Sequence, residues 1–99
     1  MNENALPLVQ HLKNFVSSRS VARTLEEIIL HKPFFDLERN TVCFILDDLC
    51  TYLYRQTEEN ISKYDVHLAL VTELGASVTP QLFKGKVIPV TRVSAEQLR

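Results

Sequence analysis

Apolar positions in the N-terminal stretch recur with helical period. Between Ala5 and Ser18, Leu8, Val9, Leu12, Phe15 and Val16 share one face, opposite Gln10, Lys13 and Asn14, as in an amphipathic helix. Asn4 can cap that helix, and Pro7 falls in its first turn, where a missing N–H costs little. A second helix is predicted from a Ser20 cap to about Leu30. Val21, Leu25, Ile28 and Ile29 face inward, and Arg19, Arg23, Glu26 and Glu27 face water. Lys32-Pro33 ends it, because the residue before proline avoids the helical basin.

The third predicted helix is the longest. It opens at Pro33, as a first-turn proline, or at Asp36, as a cap, and runs to about Gln56. On a helical wheel, Asn40, Phe44, Asp47, Asp48, Thr51 and Arg55 share an arc of about 100°. Val42, Cys43, Ile45, Leu46, Leu49, Cys50, Tyr52, Leu53 and Tyr54 cover about 200° on the other side. A surface helix needs about half that apolar width, so this one is expected to be central and wrapped from two flanks.

Glu58-Glu59-Asn60 reads as a turn. Ser62 caps a fourth helix, Asp65 completes an approximate capping box, and Ile61 with Val66 forms a hydrophobic staple. Leu74-Gly75 ends it, glycine being the usual left-handed terminator. Beyond Gly75 the composition changes. Ser77–Phe83 and Val87–Val93 are rich in β-branched residues around Lys84-Gly85-Lys86. They suit a small hairpin, with Pro80 and Pro89 confining its strands to an edge, or an extended tail on the helices.

The 99 residues, 45% hydrophobic and 23% charged, describe one globular domain over residues 1–99, mostly α. The longest apolar run, Val42 to Leu46, is far below the roughly 18 residues of a membrane span. Met1-Asn2-Glu3-Asn4 lacks the profile of a secretion signal, so an intracellular protein is expected. Cys43 and Cys50, about 10 Å apart on one predicted helix, cannot bridge each other and should be reduced.

Candidate chemistry is sparse. Gly75 and Gly85 stand alone, without a phosphate-binding loop. Cys43 and Cys50 lack a histidine at zinc-ligand spacing, and His11, His31 and His67 fall on different helices. Asp47 and Asp48 are adjacent carboxylates, but Thr51 and Arg55 beside them read as a solvated stripe with an internal ion pair. No enzyme, cofactor, metal or small-molecule substrate is expected. The net charge of −1 does not favour nonspecific nucleic-acid binding by the whole chain.

The segment Ile61-Ser62-Lys63-Tyr64-Asp65-Val66-His67-Leu68-Ala69-Leu70 resembles the end of the histone fold. An apolar loop residue, a Ser cap, an acidic residue with a branched apolar one, and an apolar pair around Ala all fall where that family has them. The resemblance covers residues 19–74, with 5–18 as an extra N-terminal helix and 76–93 as a hairpin or tail. It departs at Glu58, where the family usually carries an arginine, so Asp65 keeps only its capping role. It implies a subunit that pairs with another protein, as a homo- or heterodimer, through the long central helix. The interface would be Val42, Ile45, Leu46, Leu49 and Leu53. Phosphate contacts, weaker in this reading, would fall to Arg19, Arg23 and Lys63. Residues 36–59 carry two basic and six acidic side chains, which suits transcription- or kinetochore-type subunits better than nucleosomal ones. Such a protein would be nuclear. Alternatively, the helix Ala5–Ser18 covers the second flank within one chain.

Two further readings compete. In a winged-helix regulator, residues 62–74 would form the reading helix and residues 78–93 the wing. Lys84, Lys86 and Arg92, uncompensated by acid between Glu73 and Glu96, favour it. The long preceding helix and the poor reading face Lys63-Tyr64-His67 oppose it. In a small bacterial or phage adaptor, which would be cytoplasmic, Phe34 and Phe35 would anchor a larger target protein.

Overall fold

A computed structural model describes residues 7–98 and shows an α+β chain. The expected mostly α, histone-fold-like unit is therefore corrected. Its elements are helix α1 (Leu8–Ser17), a 3-10 segment (Leu25–Leu30), strands β1 (Phe34–Asp36) and β2 (Thr41–Phe44), helices α2 (Leu46–Thr57) and α3 (Lys63–Leu74), strands β3 (Ser77–Phe83) and β4 (Lys86–Ser94), and a closing 3-10 segment (Ala95–Leu98). The strands form an antiparallel sheet in the order β1-β2-β4-β3.

The first predicted helix is present, burying Leu12, Phe15 and Val16. Pro7 stands at its cap position with extended backbone, rather than inside the first turn. The proposed Asn4 cap lies outside the described residues.

The second predicted helix is reduced to the 3-10 segment. Thr24 is extended (φ −133°), and the Arg23 N–H donates to the Glu27 carboxylate at 2.9 Å. Such local side-chain bonds compete with helix formation. His31, left-handed at φ 66°, stops the segment.

The long central helix is replaced by β1, a turn, β2 and α2. The Asp36 carboxylate accepts the Arg39 N–H at 3.2 Å, and Asn40 takes φ 50°, so the chain reverses there. Thr41-Val42-Cys43-Phe44 then pairs with β1 on one side and β4 on the other. This strand is covered on both faces, and such strands read as unbroken apolar runs. Projected on a helical wheel together with α2, it produced the double-width arc.

The fourth predicted helix is α3. Ser62 Oγ accepts the Asp65 N–H at 3.4 Å, Gly75 is left-handed at φ 65°, and the Ala76 N–H reaches the Leu70 carbonyl at 3.1 Å. The hairpin follows at once. Lys84 (φ 49°) and Gly85 (φ 82°) form a two-residue turn of the kind that matches strand twist. That turn makes Phe83↔Lys86 the hydrogen-bonded closing pair. By alternation, Pro80↔Pro89 is a non-bonded pair. The N–H that Pro80 lacks would have pointed to the free edge of β3, which is thereby blunted. β4 is central rather than at an edge, but it meets β2 only over Thr91–Ser94, so Pro89 interrupts no pairing there.

Each face of the sheet carries a core. On one, Val42, Phe44 and Val93 meet Leu12, Phe15, Leu49, Leu53, Val66 and Leu70 from the helices. Phe15 packs edge-on against Phe44 and Tyr52, at centroid distances of 5.8 and 5.6 Å. On the other face, Cys43, Phe83 and Val90 are closed by Ile28 of the 3-10 segment.

Candidate interaction surface

The residues expected to form a dimer seam are mostly inside the chain's own core. Val42 and Leu49 are 0% exposed and Leu53 is 3% exposed. Ile45 and Leu46 are half-buried, at the junction of β2 and α2. Pairing through a long central helix therefore has neither the helix nor the free apolar face it needs. Phe34 packs into the core under the 3-10 segment, which removes it as an exposed anchor. Phe35, on the opposite sheet face, is 36% exposed.

Exposed apolar side chains are scattered, Leu30, Leu37 and Tyr54 among them, and α3 and the hairpin carry six more. Tyr64, Leu68 and Val71 are 68%, 45% and 38% exposed, at positions that share one side of the helix. Val66, Leu70 and Leu74, on the opposite side, carry α3 into the core. Val78, Leu82 and Val87 are 41%, 71% and 68% exposed. Register places Val78 beside Thr91 and Leu82 beside Val87, on the sheet face that bears the helices. Between α3 and this face runs a groove of about 400 Å³, lined by Ile45, Leu46, Lys63, His67, Val78 and Pro89 among others.

The cations expected to meet phosphate are scattered. Lys63 Nζ pairs with the Asp47 carboxylate at 2.8 Å, and the hydrogen bond to that carboxylate pushes the lysine pKa up. Arg23 is exposed beside the 3-10 segment, and Arg19 is half-buried against Phe15. Lys84 and Lys86 stand exposed at the hairpin turn, without an acidic partner among the described residues.

Arg92 was expected to join those lysines and does not. It is 8% exposed, and its Nη1 donates to Asp36 at 3.1 Å and to Cys43 Sγ at 3.0 Å. Burial works to raise the Asp36 pKa, but the Arg39 N–H and the Arg92 guanidinium outweigh it and hold the carboxyl below its ordinary value. Burial pushes the Cys43 thiol up.

The expected internal ion pair on α2 is also absent among the described residues. Asp47 reaches Lys63, and Asp48 reaches His31 Nδ1 at 2.7 Å. Both aspartates thus tie α2 to other elements instead of to Arg55.

Sequence reasoning missed the outward stripe on α3. Its spacing was visible at Tyr64, Leu68 and Val71, but only Lys63-Tyr64-His67 was considered as an outward face, for reading DNA. Among the described residues no helix is long and apolar enough to cross a membrane. In comparisons with known proteins, no family model matches the chain, and no curated protein or solved structure is significantly similar to it.

Proposed function

We propose that this chain is a non-enzymatic protein-interaction module that engages a partner protein through the outward face of α3 and the adjoining face of the hairpin. One observation carries the reading. Tyr64, Leu68 and Val71 stay exposed on one side of a well-capped helix, whose Lys63 and His67 share a groove with the exposed Val78 of the hairpin. Exposed apolar residues gathered on one helix side suit an interaction site better than single scattered ones do. An aromatic at the helix start with aliphatic residues one and two turns on is the anchor spacing of helix-in-groove recognition. Blunting of the β3 edge by Pro80 favours side-chain docking over strand addition.

A second reading has a specific observation in its favour. Apart from β1 and the 3-10 segments, the order α1, β2, α2, α3, hairpin, with β4 between β2 and β3, is that of a winged helix. Lys84 and Lys86 would then sit on the wing. Against duplex binding, α3 carries no Arg, Asn or Gln, and its outward residues include Asp65 and Glu73. Lys63, at the start of α3, is already paired with exposed Asp47 in the first turn of α2.

Crossed variants separate the two. Leu68→Glu with Val71→Glu is expected to abolish self-association in light scattering, or to abolish capture of a protein partner. Lys84→Ala with Lys86→Ala should leave either intact. Duplex binding with a salt slope worth several phosphates, lost in the lysine variant and kept in the α3 variant, would overturn the proposal.

A further inference from the structure

Away from the α3 surface, a polar pocket of about 270 Å³ is lined by Arg19, His31, Asp48, Thr51, Tyr52 and Arg55. We propose that it binds a small phosphate monoester dianion.

Arg19 is fixed in place before any ligand arrives. Its guanidinium carbon lies 4.4 Å from the Phe15 ring centroid and 5.9 Å from that of Tyr52, and its Nη1 donates to the His31 carbonyl at 3.3 Å. Its Nε is buried and has no partner within the protein. Arg55 is exposed, one turn beyond Thr51 on α2, and has no acidic partner among the described residues. The carboxylate of the pocket, Asp48, is engaged by His31 Nδ1 at 2.7 Å. Two guanidinium groups therefore face one carboxylate that already has a partner, and the pocket carries excess positive charge.

The donor set selects the class of anion. Planar guanidinium forks match phosphate oxygens in pairs, and the Thr51 and Tyr52 hydroxyls add further donors. A tetrahedral dianion can use more of these donors than a carboxylate can. Stacking of Arg19 on Phe15 means that less side-chain freedom is lost on binding. The volume lies just below the usual range of ligand pockets, about 300–1,000 Å³, so a phosphate with a short organic group fits better than a nucleotide.

The test uses the full chain at constant ionic strength, followed by calorimetry and by amide NMR shifts on α2. Inorganic phosphate, glycerol 3-phosphate and acetate are the probes. Saturable binding of either phosphate probe, with acetate at least about tenfold weaker, is expected, and the ranking of the two phosphates tells a free ion from an ester. Arg55→Gln, an exposed change that should not disturb folding, is expected to weaken binding about tenfold or more, the loss of one charge-assisted pair. Arg19→Lys keeps the charge but loses the fork and should also weaken binding, with an unchanged melt as the check on folding. Lys84→Gln with Lys86→Gln should bind as the unaltered chain does. Non-saturating shifts, equal affinity for acetate, or equal loss in the hairpin variant would overturn the assignment. The α3 variant Leu68→Glu should retain the site, so failure of one proposal leaves the other standing.

Discussion

Among single residues, Arg92 shows how a surface-looking cation becomes structural. It reaches across β2 from β4 to Asp36 on β1, so one guanidinium ties together three strands. The Asp36 carboxyl titrates below its ordinary value of 3.8 in the folded chain. A depressed carboxylate pKa adds stability that is present above the unfolded pKa and lost as pH falls through the folded one. Denaturation measured between about pH 5 and pH 2 should therefore show stability falling with acid, and Asp36→Asn should flatten that fall while lowering stability at neutral pH. The same cluster governs Cys43. Its thiol is buried and shifted upward, so the reactive thiolate is scarce. An aromatic disulfide reagent should modify half-buried Cys50 first, and Cys43 only at the rate of opening; equal native rates would contradict the geometry.

Among elements, legibility followed the strength of local signals. The bounds of α3 could be read, because its Ser62 cap and Gly75 terminator are local chemistry that needs no tertiary partner. Ser62→Ala is accordingly expected to lower stability by about 1 kcal/mol in a urea titration. The hairpin was also legible, from β-branched residues flanking Lys84-Gly85. Residues 34–44 were not. Pro33 and Asp36 each resemble a helix start, and Val42-Cys43-Phe44, buried on both sides, has no alternation to betray a strand. What decides the matter is pairing with β4, which lies some fifty residues on and leaves no mark at positions 41–44. The exposed hairpin lysines of the winged-helix reading could be read from charge alone. The Arg19–Arg55 pocket could not, because its residues come from separate segments brought together only by packing of α2.

At the level of the whole molecule, the core closes without a second chain. Leu49, 0% exposed on α2 among the helices, should cost about 2–5 kcal/mol when cut to alanine. Leu68→Glu, at an exposed position, should shift stability by about 0.5 kcal/mol or less. The reverse ranking in thermal melts would mean that the apolar seam lies between chains after all. The long axis of 42 Å, against 26 and 25 Å for the others, describes an elongated body. Within it, β4 is made after every strand it joins, yet it stands between two of them. On the ribosome, β2 and β3 therefore have no strand between them until residues 86–94 emerge, and the sheet-side cover that Val93 gives Val42 comes last. A nascent chain stalled at the Lys84-Gly85 turn would have its helices but no continuous sheet, and would be the form most in need of a chaperone.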